Sequence, residues 1–335
     1  MVNDSHNSVR CGIVLAAGEG ERLRPFVQRL RGDALPKQYV NFIGSRSLLE
    51  HTFGRAERLI SPEHLFTVVS QNHLRHPQVK QQLSSRPSGT VVVQPENKET
   101  GPGILLPLMH VYKRYPDSGV AVFPSDHFIV EEALFMAHVD LALRVVERHP
   151  SCLVLLGMEP RGPEPEYGYI LPGPKENGLS PLAVRPVLRF VEKPNPHAAR
   201  LLIRGGGLWN TMVMIFKIRT MLDLVQKTAP LLYRVFMGIS KIIGTMDEMR
   251  VVEDAYRKMA AVNFSRGVLE PITRADASRL LVLPVRNVFW SDWGSERRIL
   301  SVLGRAGNPE LHHGTSQNEP FSALDDRRRA ATGSG

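Results

Sequence analysis

The stretch Cys11-Gly12-Ile13-Val14-Leu15-Ala16-Ala17-Gly18-Glu19-Gly20-Glu21-Arg22-Leu23-Arg24-Pro25 couples a short apolar run to a loop of small residues. Residues 11–17 are too few for a helix of ordinary length and are closed by glycine, which marks a strand buried on both faces. Working outward, runs of the same kind recur at 65–70, 90–94, 119–124 and 152–158. Between them, 47–60, 101–115 and 131–149 carry helical spacing; in the last, Ala133, Leu134, Ala137, Leu141 and Val145 recur at three- and four-residue intervals. Strands alternating with helices predict βαβ units, hence an α/β fold with a mostly parallel sheet and helices on both faces.

After about residue 160 the rhythm changes. Proline and glycine crowd 160–186, strand-like runs follow at 187–192 and 211–216, and helical stretches at 220–244 and 247–261. Two more strands at 279–284 and 288–290 precede a last helix at 295–303. This part reads as a lobe elaborating the first. Residues 1–9 and the polar residues 307–335 read as flexible ends.

Composition narrows the function classes. The 335 residues are 42% hydrophobic, enough for a large core, which excludes intrinsic disorder for most of the chain. No apolar run approaches the roughly 18 residues of a membrane span. The N-terminus carries one basic residue and no long apolar region, so a secretory signal is not expected and a cytoplasmic location is. Cys11 and Cys152 both fall in strand-like runs and make neither a disulfide framework nor a zinc site. The net charge of +9 is mostly arginine, spread along the chain without the basic–aromatic blocks of a nucleic-acid groove. Neither a nucleic acid nor a membrane is therefore expected as a partner.

Certain residues stand out against that background. Glycines at the C-terminal end of a strand let a backbone approach a ligand closely and present its N–H groups to phosphate. That end of an open parallel sheet is also where ligands bind. The loop matches neither the dinucleotide nor the P-loop pattern, and by itself it is equally readable as a tight turn. Arg22 stands where a fixed charge would meet phosphates over the loop, and Lys37, in Pro36-Lys37-Gln38, could aim a point charge at the same place. Asp126 and Asp292 each follow a buried strand; together they suit Mg²⁺, which takes oxygen ligands, although each alone also reads as an Asx turn or helix cap. His127 reads as a packed neighbour, not a base or ligand.

Taken in order, these motifs resemble the sugar-phosphate nucleotidyltransferases, most closely the mannose-1-phosphate guanylyltransferases. The resemblance runs from about Cys11 to Leu303. After the first loop and Pro36-Lys37-Gln38 come Thr100-Gly101-Pro102-Gly103, Pro124-Ser125-Asp126-His127 and Glu166-Tyr167-Gly168-Tyr169-Ile170. Then follow Phe190-Val191-Glu192-Lys193-Pro194, Leu208-Trp209-Asn210-Thr211, Asn263-Phe264-Ser265 and Trp290-Ser291-Asp292-Trp293-Gly294-Ser295.

The resemblance implies a Rossmann-like mixed, mostly parallel sheet of the nucleotide-diphospho-sugar transferase type, with an inserted sugar-binding lobe. Residues 10–306 would form the catalytic unit, 10–160 holding the nucleotide and 161–306 the sugar phosphate. The implied reaction joins mannose 1-phosphate, or a close hexose 1-phosphate, to GTP, giving a nucleotide sugar and pyrophosphate with Mg²⁺ as cofactor. Ala16, Ala17, Gly18, Gly20, Arg22 and Thr100 would bind nucleotide, with Arg22 and Lys37 catalytic on the triphosphate. Asp126 and Asp292 would hold the metal. Gly168, Glu192, Lys193 and Asn210 would bind the sugar phosphate. The attacking oxygen is already ionised, so positioning and charge neutralisation replace a general base.

Two features depart from the mannose-specific pattern: Lys98-Glu99-Thr100 stands where Arg-Asn-Thr is usual, and Ala17 stands at a position usually glycine. Glu99 brings a negative charge near anions, which opens the alternatives of UTP or dTTP with glucose 1-phosphate, or a binding protein without turnover. The chain is too short for the isomerase domain of longer relatives, so isomerase activity is not expected. A homo-oligomer is left open.

Overall fold

The computed structural model describes residues 9–174 and 183–306. The sheet is organised around β1 (Arg10–Ala16), which pairs in parallel with β2 (Leu65–Ser70) on one side and β4 (Gly119–Pro124) on the other. β3 (Val91–Gln94) extends the parallel set beyond β2. All of β2 and nearly all of β4 is buried, which is why these strands read as continuous apolar runs without alternation.

Beyond β4 lie β9 (Leu208–Lys217), β6 (Leu153–Met158), β10 (Leu280–Val285), β8 (Arg185–Glu192) and β7 (Gly168–Pro172). Among the described residues the order is β3-β2-β1-β4-β9-β6-β10-β8-β7. β6 and β10 are parallel to each other, while every pairing made by β9, β8 and β7 is antiparallel. The sheet is therefore mixed: parallel through its first four strands, largely antiparallel where the later strands join. β9 also pairs with β7 at Tyr169↔Trp209 and Ile170↔Leu208, which closes the strands β9-β6-β10-β8-β7 into a ring.

Alternating side chains along the central strands feed two cores. Cys11 and Ile13 enter one with Leu105 and Leu108 of α4 (Thr100–Arg114). α7 (Ile218–Thr228), α8 (Pro230–Ile242) and α9 (Glu248–Lys258) cover that face through Met221, Phe236 and Tyr256. Val14 and Ala16 enter the other with Leu49 and Phe53 of α2 (Leu48–Ala56) and Phe135 and Val139 of α5 (Glu132–Arg148). Helices thus flank both faces, as predicted. α2 starts on a capping box in which the Ser47 hydroxyl accepts from Glu50 N–H and the Glu50 carboxylate accepts from Ser47 N–H.

Element positions follow the predicted ones within a few residues, with informative exceptions. The stretch predicted as one helix at 220–244 is two, α7 and α8, because Pro230 cannot continue the first. The proline- and glycine-rich region after 160 contains β7, whose ladder partners come from distant strands and leave no local signal. Of the predicted strand at 288–290 only Trp290 lies in β11 (Trp290–Ser291), which pairs antiparallel with the two-residue β5 (Phe128–Ile129). α1 (Arg24–Arg31), α3 (Pro77–Leu83), α6 (Pro196–Arg204) and α10 (Glu270–Ala275) are short helices that the apolar pattern did not single out. α11 (Glu296–Ala306) ends the description. Cys11 is buried in β1, but Cys152 precedes β6 and is only half-buried; both are free thiols. The expected flexible ends, apart from Val9, lie outside the described residues. No described helix is long and apolar enough to cross a membrane.

Candidate active site

The loop after β1 is held from behind by 37–39. Gln38, itself buried, donates both amide hydrogens, one to Ala16 O at 2.9 Å and one to Gly18 O at 2.8 Å. The Tyr39 hydroxyl is a second side-chain donor to Ala16 O, at 3.0 Å. In a trans peptide the carbonyl and the following N–H point opposite ways. Turning these carbonyls inward therefore turns the N–H groups of Ala17 and Glu19 away from Gln38. Ser125 ties the end of β4 to the same region by donating its hydroxyl to Leu15 O at 2.7 Å. Gly20 adopts φ 62°, and a Cβ there would stand 3.3 Å from Lys37 N, so the close pass of the loop over Lys37 demands glycine.

A cleft of about 480 Å³ opens over this loop. It gathers Gly18, Gly20 and Arg22 from the loop, Lys37, Asp126 at the end of β4, Lys193 after β8, and Asp292 after β11. Ala16 and Ala17 are buried beneath. Thr100 does not line the cleft; its hydroxyl accepts from Phe264 N–H at the start of α4. Gly168, Glu192 and Asn210 form an adjoining group. Gly168 pairs with Glu192 across β7 and β8, and a Cβ on Gly168 would stand 2.7 Å from Glu192 Oε2 and 3.4 Å from Asn210 Cβ. The Asn210 amide is turned on its own strand, its oxygen accepting from Met212 N–H at 3.1 Å. Burial, helped by the Glu270 carboxylate, raises the Glu192 carboxyl above its ordinary range against Lys193, Ser265 and Arg266. A larger hollow of about 710 Å³ lies behind Tyr39, against α2 and α3, and holds none of the predicted residues.

The charges are interlocked. Lys37 Nζ lies 2.9 Å from Asp126 Oδ2 and donates to Asp292 O at 2.8 Å, so one nearly buried ammonium joins both aspartate segments. Burial pushes the Asp126 carboxyl up, but Lys37 and its other surroundings carry it below the ordinary value. His127 packs edge-on against Trp290 with ring centroids 5.1 Å apart, and burial pushes it down to about 4, so it is a packed neutral ring. Arg22 is 58% exposed and reaches across the cleft to Glu166, Nη1 to Oε1 at 3.1 Å.

Asp292 is held on one oxygen. Its Oδ1 accepts from the Tyr167 hydroxyl at 2.8 Å, from Arg298 Nη1 at 2.8 Å and from Gly294 N–H at 3.0 Å. Arg298 also reaches Glu166 Oε2 at 2.5 Å and Glu164 Oε1 at 3.1 Å. Burial and the Asp292 charge raise the Tyr167 phenol, which keeps it protonated as a donor. Several residues near the site sit at positive φ without being glycine: Glu99 at 69°, Lys193 at 50°, Met212 at 57° and Trp293 at 43°. Such strain collects at functional sites.

The donor set fits a hard divalent cation. Asp126 and Asp292 line the cleft together with Glu19, Glu21 and Glu166, and among the described residues no three Asp, Glu, His or Cys are grouped so as to hold a metal ion. Mg²⁺ binds in this manner, through one or two carboxylates with substrate phosphates and waters completing its shell. Sequence reading missed Gln38, Tyr39, Glu166, Tyr167 and Arg298 as individual site residues. The first four lie inside quoted or adjoining motifs, whereas Arg298 carries no signal until α11 is folded back onto the cleft.

Comparison with known proteins agrees with this architecture. A family model described as nucleotidyl transferase matches residues 11–303. The chain is 29% identical over 307 residues to the xanthan biosynthesis protein XanB of Xanthomonas campestris pv. campestris, covering 90% of this chain and 61% of that protein. It is 28% identical over 308 residues to a mannose-1-phosphate guanylyltransferase of Salmonella montevideo, covering 90% of this chain and 62% of that one. The chain thus spans about three-fifths of the length of these relatives. Among solved structures, one described as a mannose-1-phosphate geranyltransferase from Thermus thermophilus superposes with a TM-score of 0.72 at 27% identity, covering 87% of this chain and 79% of that chain. A UDP-glucose pyrophosphorylase complexed with UDP-glucose shares the fold at a TM-score of 0.54 and 14% identity, covering 90% of this chain and 99% of that chain.

Proposed function

Since the chain belongs to the nucleotidyl transferase family, we propose that it is a mannose-1-phosphate guanylyltransferase, joining mannose 1-phosphate to GTP with release of pyrophosphate in a Mg²⁺-dependent reaction. The observation that carries this reading is the meeting of Arg22, Lys37 and Lys193 with Asp126 and Asp292 in one cleft over the loop after β1. Three cations beside the carboxylates of Asp126 and Asp292 suit a reaction whose attacking group is already an anion and needs no general base.

In the proposed reaction an oxygen of the sugar phosphate attacks the α-phosphorus of GTP. A new P–O bond forms as the bond from the α-phosphorus to the bridging oxygen breaks, and pyrophosphate departs with that electron pair. The loop after β1 presents main-chain N–H groups beside the nucleotide. Arg22, exposed and free to exchange Glu166 for phosphate, neutralises the triphosphate. Lys37 holds the two aspartate segments at a fixed separation and offsets the charge between them. Lys193 orients the incoming sugar phosphate, with Glu192, Asn210 and the main chain of Gly168 beside the sugar hydroxyls. Asp126 and Asp292 would hold Mg²⁺, which when bound draws the phosphates together and offsets their charge.

The test is pyrophosphate release from the purified chain with Mg²⁺, mannose 1-phosphate or glucose 1-phosphate, and each nucleoside triphosphate in turn. Release with GTP and mannose 1-phosphate is expected. Preference for UTP or dTTP would overturn the guanylyl assignment, and silence with every pair would overturn the enzymatic one.

A further inference from the structure

The asymmetry of the hydrogen bonds on Asp292 reaches beyond this reading, though it rests on the reading's assignment of a divalent cation to that residue. Three donors from three places converge on Oδ1: Tyr167 just before β7, Gly294 two residues on, and Arg298 in α11. No hydrogen bond from a described residue reaches Oδ2. Residue 294, being glycine, puts no side chain over Oδ2. A Cβ there would stand 2.6 Å from Oδ2 and 2.7 Å from Arg298 Nη1.

A carboxylate with three donors on one oxygen and no hydrogen bond from a described residue on the other cannot rotate without breaking the bonds it has. We propose that Arg298 and Tyr167 are positioning residues that fix the Asp292 carboxylate so that Oδ2 is presented to a divalent cation in the cleft. The anchors are themselves well held. The Arg298 guanidinium lies over the Tyr167 ring at 4.6 Å and is forked between Asp292 and the pair Glu164 and Glu166. The Tyr167 ring packs against Trp209 and Trp290 with centroids 4.9 Å and 5.2 Å away. Glu166 also accepts from Arg22, so the same network that orients Asp292 reaches the cation on the nucleotide loop. Partners that orient a metal-binding carboxylate are worth roughly tenfold or more in metal affinity.

The test uses charge-conserving substitutions, because removing the positive charge of Arg298 would by itself draw cations in. Tyr167→Phe keeps the ring and loses one donor. Arg298→Lys keeps the charge and loses the fork. Mn²⁺ serves as the probe, with free ion counted by electron paramagnetic resonance in the full chain, and Asp292→Asn as reference. Mn²⁺ binding about tenfold weaker in both variants is expected. The Mg²⁺ concentration for half-maximal turnover should rise in parallel, with activity regained at high Mg²⁺ and with GTP affinity in EDTA within twofold of the parent. Mn²⁺ affinity within twofold of the parent in both variants, while Asp292→Asn loses it, would overturn the positioning role and leave the metal assignment standing. Unchanged Mn²⁺ binding in Asp292→Asn would remove the metal assignment itself. Because the Mn²⁺ measurement needs no turnover, it is read independently of which nucleotide or sugar the enzyme uses.

Discussion

The ammonium of Lys37 lies 2.9 Å from Oδ2 of Asp126, and its second bond goes to the main chain of Asp292, a residue 255 positions away. A single side chain therefore ties the Asp126 carboxylate to the backbone that carries Asp292. Replacing Lys37 by Met removes both ties and, in the proposed reaction, a positive charge on the triphosphate. Turnover is expected to fall on the order of 10²-fold or more, the size of effect seen when one preorganised electrostatic group is deleted. Steady-state pyrophosphate release measures it; turnover within a few-fold of the parent would show that Lys37 has no part in the chemistry.

Gly18 and Gly20 occupy the same loop for different reasons. Gly20 sits at φ 62° against Lys37, whereas a Cβ at Gly18 would meet nothing within 4 Å. Gly20→Ala should therefore cost about 1–2 kcal/mol of stability from the left-handed backbone alone. Gly18→Ala should leave stability near the parent's and weaken nucleotide binding by intruding into the cleft. Urea unfolding together with a nucleotide titration separates the two, and equal destabilisation by both substitutions would contradict the assignment.

Glu99 is held at φ 69° and ψ −172°, a region that side-chain-bearing residues avoid, and its carboxylate accepts from Asn263 Nδ2 at 2.9 Å. Glu99→Gly loses that exposed bond but relieves the backbone, so a net gain of about 1 kcal/mol is expected. Thermal unfolding reads the result. A drop in melting temperature would mean that the bond to Asn263 outweighs the strain.

Acidification should destabilise the fold through buried histidines. Burial lowers His73 and His110 below their ordinary value, against the raising influence of Glu19 on His73 and of Glu248 on His110. His76 lowers the first further and Arg114 the second, while the Tyr39 hydroxyl meets His73 Nδ1 at 3.1 Å. With folded values below the unfolded one, the unfolded chain takes up protons first as pH falls below about 6.5. Their stabilisation is thus whole above that pH and is lost on the way down through the folded values. The melting temperature should fall between pH 7 and pH 5, and less steeply in His110→Gln. Parallel curves for parent and variant would remove His110 from the account.

Much of this was legible in the chain, for physical reasons that differ between elements. β2 and β4 announce themselves because burial on both faces forces unbroken apolar runs. Asp126 and Asp292 stand out as charged residues just past strands, and Lys37 as a lysine fixed behind Pro36 near the small-residue loop. The meeting of Arg298 with Asp292 was not legible, since it depends on where α11 packs after β11. β7 was hidden for a related reason: its partners are β8 and β9, and its own five residues end in proline. α1 was missed because its surface is mostly arginine and polar, with only Val27 fully buried.

β9 carries a mechanical consequence. Through Met214–Lys217 it is laddered to β4, the strand whose far end carries Asp126; it is laddered to β6 from Trp209 to Phe216, and through Leu208 and Trp209 to β7, beside Gly168. The two banks of the cleft are thus mounted on one continuous beam. Swinging them apart would mean tearing a hydrogen-bonded ladder, so the aperture is adjusted at its rim, by loops and side chains such as Arg22. For the proposed reaction, the expected motions at the rim are those of loops, on nanosecond-to-microsecond times, and not the slower rotation of domains.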